Sequence, residues 1–221
     1  MSISITQDIR DMVFKGPMSS SDMKHYDEHL ALAILKYCFD DYDNLIVKDA
    51  PDLQSPECSI GIEVTEVAIS RNKAIEGDYL QYRKTNDRKY IEKINNNGGK
   101  ATNDYYITTS VTMYDELDAM KSVFQKKLKK IVNYRDKGFR TIGLIMLMTD
   151  PPIPQTADEW GTIIHSINSN SKYRYNRIFF TYPSALSILD CSTGNVEYKP
   201  INQNDYDALK KYARISAEKG V

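Results

Sequence analysis

An unbroken apolar run, TIGLIMLM at Thr141–Met148, constrains the fold of this 221-residue chain more than any other feature. A half-buried strand alternates apolar and polar residues, whereas a run without polar residues is typical of a strand that is covered on both faces. A long helix is predicted before it, from Asp115 to Lys137, because Asp115 can cap the helix and Gly138 can end it. The run therefore predicts a sheet strand with helices packed on both sides.

The other predicted elements extend this arrangement into a mixed α/β fold. Ser21 and Asp22 can cap a first helix that runs to about Phe39, and proline and turn residues separate the later segments. The further predicted elements are strands at Leu45–Lys48 and Ser59–Ile69, a helix at Ala74–Asn97, a strand at Tyr105–Tyr114, a helix starting at Thr156, strands at Arg177–Tyr182, Ala185–Asp190 and Asn195–Lys199, and a short helix from Asp205. This order indicates the α/β class, with a mixed β-sheet flanked by helices on both faces.

Composition limits the setting in which the chain works. The net charge is −1, so no polyanionic partner is required by the overall charge. No apolar run approaches the roughly 20 residues that span a bilayer, and the N-terminal segment has no apolar centre of the secretory type. The three cysteines have no metal-type spacing, and their odd number suits a reducing compartment. We therefore expect a cytoplasmic protein with no membrane partner.

Two carboxylates in the stretch from Lys48 to Val67 are the leading candidates for a functional site. Asp52 follows Pro51 at the end of a short β-branched segment, and Glu63 lies inside the apolar segment Ile60–Val64. Carboxylates inside apolar strands are rare unless they are paired or bind a metal. If the two segments are neighbouring strands, Asp52 and Glu63 converge, and hard divalent cations prefer such oxygen ligands. The alternative is that Glu63 faces solvent from a half-buried strand.

Basic residues concentrate on the long predicted helix. From Lys121 to Arg140 there are eight lysines and arginines, and Asp136 is the one acidic residue after Lys121. Such charge runs are usually solvated helix faces. Beside a carboxylate pair that binds a metal, contact with phosphates is the better explanation of this cluster.

The Pro51-Asp52 pair, the segment Glu63–Thr65 and the order of elements together resemble the PD-(D/E)XK nuclease superfamily, which has the restriction-endonuclease-like fold. The strand IGIEVTE at Ile60–Glu66 is similar to that of uncharacterised bacterial or phage branches. The resemblance covers residues 21–150, so we expect an N-terminal arm at 1–20, a nuclease-like core at 21–150 and a C-terminal elaboration at 151–221 packed on the same domain. It implies cleavage of nucleic acid that depends on Mg²⁺ or Mn²⁺, with Asp52 and Glu63 as metal ligands.

Thr65 departs from the pattern of this superfamily. The superfamily has a lysine two positions after the acidic residue, which polarises the attacking water and stabilises charge at the phosphate. Thr65 can bind water but carries no charge. Lys127 is the predicted replacement, because it lies about 60° from the centre of the apolar face of the long helix. Superfamily members that lack the strand lysine often supply one from this helix, although Lys127 could also simply extend along the rim of that face.

Three further residues are assigned roles by this comparison. Lys130 and Tyr134 share the flank of Lys127 and are expected to reach a phosphate of the nucleic acid. Glu28, on the first predicted helix, resembles the acidic residue that completes the metal shell in some families. An acidic residue early in a helix also interacts favourably with the helix dipole, which is the alternative for Glu28.

Three hypotheses about function follow. The first is a metal-dependent nuclease acting on nucleic acid, with DNA as the expected substrate, in which Asp52, Glu63, Thr65 and Lys127 form the catalytic site. A homodimer would suit an enzyme that cuts both strands, but no residue pattern requires one. The second is a catalytically inactive member of the same fold that binds nucleic acid or another protein. The third, an α/β enzyme acting on a small molecule, has no glycine-rich phosphate loop or nucleophile elbow to support it.

Overall fold

The computed structural model of the chain describes residues 20–110, 112–148, 157–182 and 185–220. Their contacts divide the protein into two compact units. The first combines the chain up to Glu66 with the chain from Val123 onward, and the second is Val67–Ser122. The boundary predicted at residue 150 lies inside the first unit, and the second unit was not predicted from the sequence. The N-terminal arm predicted at residues 1–20 lies outside the described residues, except for Ser20.

Groups of helices and groups of strands follow one another along the chain. In chain order they are α1 (Ser20–Cys38), β1 (Ile46–Val47), β2 (Leu53–Gln54), β3 (Ile60–Val67), α2 (Ser70–Thr85), α3 (Lys89–Asn96), β4 (Lys100–Ala101), β5 (Tyr106–Ile107), α4 (Met113–Leu128), α5 (Ile131–Asp136), β6 (Thr141–Met148), α6 (Ala157–Ser169), β7 (Arg177–Tyr182), β8 (Ala185–Asp190), β9 (Val196–Pro200) and α7 (Gln203–Lys219). No helix in the described ranges is both long enough and apolar enough to cross a membrane.

The first unit is built on a mixed seven-stranded sheet with the strand order β1-β2-β3-β6-β7-β8-β9. Strands β1, β2 and β3 pair antiparallel, β6 and β7 pair parallel, and β8 runs antiparallel to both β7 and β9. The apolar run Thr141–Met148 forms β6 at the centre of this order, and every residue after Thr141 in it is buried. The predicted α/β class with a mixed sheet is therefore confirmed.

Helices cover both faces of this sheet. Ile145 and Leu147 of β6 belong to an apolar cluster with α1 and with Ala213 of α7. Because successive strand residues point to opposite faces, the buried Leu144 and Met146 lie on the other face. Helix α6 packs against β8 and β9, where its Gly161 approaches Val196. Val196 pairs with Leu189 of β8, and Leu189 points to the face opposite to that of Leu186 and Ile188, which belong to the apolar cluster. Helix α6 therefore packs on the face of the sheet opposite to α1.

Two predicted helices prove to be interrupted. The helix predicted at Ala74–Asn97 is wrong, because α2 ends at Thr85 and Asn86 adopts a left-handed conformation with φ 54° before α3 begins. Asparagine tolerates this conformation better than most residues, so the polar segment becomes a turn. The helix predicted at Asp115–Lys137 is likewise divided, since α4 ends at Leu128 and α5 starts at Ile131.

The extents of two other elements also differ from the prediction. The strand predicted at Tyr105–Tyr114 is wrong beyond Tyr106–Ile107, because among the described residues of that range only these two pair, with β4. The Tyr, Ile, Val and Thr content favours a strand throughout. The C-terminal helix is not short. Its N-terminus is capped by the Asn202 side chain, which accepts a bond from Asp205 N, and its C-terminus ends at Gly220 with φ 65°.

Gly61 allows the Pro51-Asp52 segment to lie close against β3. A Cβ atom at Gly61 would be 2.5 Å from Pro51 Cγ and 2.9 Å from Phe139 Cδ1. Both neighbours are rings on constrained parts of the chain, so neither can yield as the end of a flexible side chain would. The absence of a side chain at Gly61 thus brings the residue before Asp52 into contact with the strand that carries Glu63.

Replacement of Gly61 by alanine should therefore destabilise the protein. We expect Gly61→Ala to lower the free energy of unfolding by about 1–3 kcal/mol, the usual cost of overpacking, in urea titrations. Gly77→Ala is the matched control, because no atom lies within 4 Å of its Cβ position in α2. That control should gain roughly 0.5–1 kcal/mol from helix propensity. Equal unfolding midpoints for Gly61→Ala and the unaltered protein would contradict this account of the packing.

Candidate functional site

Asp52 and Glu63 lie opposite each other across two antiparallel strands. The pairing of β2 with β3 matches Leu53 with Ile62, and one further step in this register matches Asp52 with Glu63. Directly opposed residues of an antiparallel pair share one face of the sheet. Asp52 is held at this position by two bonds, because its Oδ2 accepts from Val64 N at 2.7 Å and its carbonyl accepts from Lys48 N at 2.9 Å. The structure thus brings the two predicted carboxylates together.

Both carboxylates are shielded from water. Asp52 is 8% exposed and Glu63 only 1%, and the neighbouring Ile62 and Val64 are buried as well. The alternative in which Glu63 faces solvent from a half-buried strand is therefore wrong. A buried carboxylate needs compensating charge or hydrogen bonds, and this site has to provide them for two.

Three side chains from the end of α4 and from the segment after it surround Glu63. Lys127 Nζ donates to Glu63 Oε1 at 2.5 Å and to the Val64 carbonyl at 3.1 Å. Lys130 Nζ donates to the same Oε1 at 2.6 Å, and the Tyr134 hydroxyl donates to Oε2. Lys127, Lys130 and Tyr134 are the residues that the sequence placed on one flank of the long helix, and the turn between α4 and α5 keeps them on one side.

The three partners differ in their access to solvent. The side chain of Lys127 is 20% exposed and that of Lys130 is 49% exposed, whereas Tyr134 is 2% exposed. The site therefore opens to solvent along the two lysines. Tyr134 closes its inner side, where its hydroxyl can orient Glu63 but cannot readily meet a ligand from solution.

The pKa values of the two carboxylates shift in opposite directions because their surroundings differ. Burial and, next, the negative charge of Glu63 raise the pKa of Asp52 to about 6, with a smaller contribution from Glu28. The Val64 N–H and Lys127 oppose this shift but do not cancel it. Burial also acts to raise the pKa of Glu63, but the charge of Lys127 and the bonds from Lys127, Lys130 and Tyr134 outweigh it and lower that pKa. Two neighbouring carboxyls with divergent pKa values are typical of acid–base sites.

The remaining two predicted residues are placed less directly. Glu28 is 3% exposed on α1, with His25 Nδ1 3.3 Å from its Oε2, and its charge is one of the causes that raise the pKa of Asp52. Thr65 is half-buried, and its hydroxyl donates to the Glu66 carbonyl at 3.4 Å rather than to either carboxylate. Glu28 thus acts on the acidic site through its charge, whereas Thr65 lies two positions after Glu63 on β3 with its hydroxyl bonded to the backbone.

Tyr175 is a site residue that the sequence did not reveal. Its hydroxyl donates to the carbonyl of Lys127 at 3.0 Å, and its ring packs against Phe124 with centroids 5.9 Å apart. Burial, followed by the charges of Glu63 and Asp52, raises the pKa of Tyr175. The contact that fixes Lys127 thus joins residues 48 positions apart in the chain, and no local pattern indicates it.

The donor atoms fit a hard divalent cation by type, since Asp52, Glu63 and Glu28 offer carboxylate oxygens. Within the described residues, however, no group of three or more His, Cys, Asp or Glu side chains is arranged so that it could hold a metal ion. Both oxygens of Glu63 already accept bonds from Lys127, Lys130 and Tyr134. A cation at this site would therefore share Glu63 with the lysines.

Comparisons of the chain with protein-family models, with curated proteins and with solved structures found no match. The function therefore has to be argued from the residues of this site and from their geometry.

The raised pKa of Asp52 predicts an unusual dependence of stability on pH. The folded state holds the proton more tightly than the unfolded chain, whose carboxyl has a pKa near 3.9, so this contribution is complete below about pH 4 and is lost as the pH rises through about 6. Asp52→Asn keeps an oxygen for the Val64 N–H and removes the titration. The variant should gain up to about 3 kcal/mol relative to the unaltered protein between about pH 4 and about pH 8.

Urea unfolding of both proteins across this pH range provides the measurement, because the other titrating groups largely cancel in the difference. A difference in unfolding free energy that stays constant with pH would show that Asp52 titrates as it does in the unfolded chain.

Proposed function

We propose that the protein is a metal-dependent nuclease of the PD-(D/E)XK type, which hydrolyses phosphodiester bonds of nucleic acid, with DNA as the expected substrate. The observation that carries the proposal is the opposition of buried Asp52 and Glu63 together with the bond from Lys127 to Glu63. The pattern of that superfamily needs a lysine where this chain has Thr65. Lys127 supplies an ammonium group beside the acidic pair from a different part of the chain.

In this proposal the acidic residues hold the metal ion. Asp52 and Glu63 would bind Mg²⁺ or Mn²⁺, and Glu28 would become a third ligand only after a shift of its side chain, because the three carboxylates are not arranged as a metal-binding group in the described residues. The bound cation supplies an activated water and neutralises charge at the phosphate. Without a cation, burial and Glu63 raise the pKa of Asp52 to about 6, so binding of the metal ion would release the proton that Asp52 holds below that pH.

The cationic residues have distinct parts in the same proposal. Lys127 is fixed by Glu63 and the Val64 carbonyl, so its charge stays next to the carboxylates and can stabilise charge that develops on the phosphate. Lys130 is half exposed and can exchange its bond to Glu63 for a phosphate oxygen. Tyr134 acts as a positioning residue, because it is buried and donates to the second oxygen of Glu63.

One observation favours the alternative of a catalytically inactive module that binds nucleic acid or protein. Glu63 is already compensated by two ammonium groups and a hydroxyl, so the site is electrostatically satisfied without a metal. Such a module would show no stabilisation by divalent cations. We further propose a cytoplasmic location for either function, since Cys38, Cys58 and Cys191 are all free thiols, as a reducing compartment would keep them.

Divalent cations should both stabilise the protein and support cleavage. A metal at roughly 100 times its Kd adds about 2.7 kcal/mol to the folded state, so Mg²⁺ or Mn²⁺ should raise the melting temperature by several degrees. Asp52→Asn should abolish this rise together with cleavage of plasmid and of single-stranded DNA. Lys127→Met should retain the thermal shift but lower kcat by about 100-fold or more.

Lys126→Met is the matched control for Lys127, because Lys126 is the exposed neighbour on the same helix and points away from the flank that Lys127 shares with Tyr134. It should cleave at the original rate. Thermal stabilisation without cleavage of either substrate would show a metal site without activity on DNA, which fits neither the proposed nuclease acting on DNA nor the inactive module. The absence of any response to Mg²⁺ and Mn²⁺ would remove the nuclease proposal.

A further inference from the structure

A second polar feature of the first unit lies beside the carboxylate site. It is a cleft of about 470 Å³, with a lining that includes Arg135, Lys172, Tyr173, Arg174 and Tyr175. Four of these residues are consecutive, in the alternating basic and aromatic sequence Lys-Tyr-Arg-Tyr between α6 and β7. The three basic side chains come from two segments of the chain, and the fold brings them to one opening. We name this feature the KYRY cleft.

Within the part of the chain that the structure describes, no acidic side chain neutralises the positive charge of the KYRY cleft. Arg135 donates to the carbonyls of Phe139 and Arg140 and to Asn176 Oδ1, all of which are neutral acceptors. Arg174 Nε likewise donates to the carbonyl of Ser171. These bonds hold the guanidinium groups in place without cancelling their charge.

The third cation is Lys172, and Asp190 is an acidic residue next to the lining. Lys172 Nζ lies 5.2 Å from the ring centre of Tyr173. Asp190 is next to the lining residue Cys191, but its Oδ1 accepts from Ser192 N and Oγ at 2.8 and 2.5 Å. Among the described residues, no carboxylate forms an ion pair with Arg135, Lys172 or Arg174. Three exposed cations without ion pairs around one cleft favour the binding of an anionic ligand.

The KYRY cleft is physically connected to the carboxylate site through Tyr175. Tyr175 is one of the residues that line the cleft, and its hydroxyl donates to the carbonyl of Lys127, the residue bonded to Glu63. Ile131, which also lines the cleft, starts the helix that carries Tyr134. The cleft and the carboxylate site thus share supporting residues in the first unit.

We propose that the KYRY cleft binds the phosphodiester backbone of a nucleic-acid strand. Arg135, Lys172 and Arg174 contact its phosphates, and the half-buried Tyr173 stacks on a base. Alternating basic and aromatic side chains suit a ligand in which phosphates and bases alternate. An isolated phosphate has no base for the aromatic side chain to contact. The placement of the strand at the carboxylate site rests on the proposed nuclease function, whereas binding by the cleft requires no cleavage.

Binding is measured with a fluorescently labelled single-stranded DNA of about 12 nucleotides, by anisotropy, in EDTA so that no cleavage occurs. The double variant Lys172→Glu and Arg174→Glu should bind about tenfold more weakly or worse. The slope of log Kd against log salt should fall by about 0.7 for each phosphate that the variant no longer neutralises. Tyr173→Ala should weaken binding by about fivefold or more without changing that slope.

The matched control carries Lys126→Glu and Lys129→Glu, which change the net charge equally at two exposed positions that do not line the cleft. It should bind within about twofold of the unaltered protein. Equal losses of affinity in the two double variants would overturn the proposal, because binding would then depend on overall charge alone. Binding of a mononucleotide as tight as that of the oligonucleotide would also overturn it.

Asp52→Asn separates this proposal from the nuclease proposal. That variant keeps the KYRY cleft intact and should bind the oligonucleotide at least as tightly as the unaltered protein. Binding that depends on Lys172 and Arg174 in a protein without metal-dependent cleavage would uphold the cleft and remove the nuclease. Cleavage with unchanged KM in the Lys172→Glu and Arg174→Glu variant would uphold the nuclease proposal and overturn the proposal that the cleft binds the strand.

Discussion

The buried charge of Glu63 is the constraint on which the rest of the site depends. A carboxylate that is 1% exposed in the middle of a sheet is tolerated only if donors reach both of its oxygens. Lys127, Lys130 and Tyr134 meet this requirement, and they fix the end of α4 and the start of α5 against β3. Apolar replacement of buried ionic groups of this kind often leaves stability unchanged or raises it. The presence of this group is therefore better explained by function than by stability.

Asp52 shows that the compensation of the buried charge is incomplete. All the cations at the site bond to Glu63, while Asp52 accepts a single backbone N–H and faces two other carboxylates. The fold enforces this arrangement through Gly61, which lets Pro51 lie against β3 and so places Asp52 opposite Glu63. The neighbours of Glu63 thus keep this carboxylate ionised, whereas the pKa of Asp52 is raised towards neutral pH.

Local patterns in the sequence predicted correctly the strands in which nearly every residue is buried. The run Thr141–Met148 and the strands Arg177–Tyr182 and Ala185–Asp190 agree residue by residue with the structure, because their apolar content fixes both type and length. The breaks at Asn86 and between Leu128 and Ile131 were missed, since single polar turns inside helical patterns depend on tertiary packing. Helical periodicity was enough to select Lys127, Lys130 and Tyr134 as one flank. Tyr175 and the KYRY cleft depend on contacts between distant segments, which periodicity does not encode.

Breaking the bond to Glu63 costs less free energy for Lys130 than for Lys127. This difference determines which of the two lysines leaves Glu63 first. Lys130 is about half exposed, so water can hydrate its ammonium group when the bond to Glu63 breaks. Lys127 is largely covered and is also bonded to the Val64 carbonyl, so its departure would strand a buried charge. If a phosphate binds at this site as proposed, Lys130 would therefore leave Glu63 first, while Lys127 would stay bonded to it. Lys127 would then continue to compensate the buried charge of Glu63, so the site could bind an anion without losing the bond that holds α4 against β3.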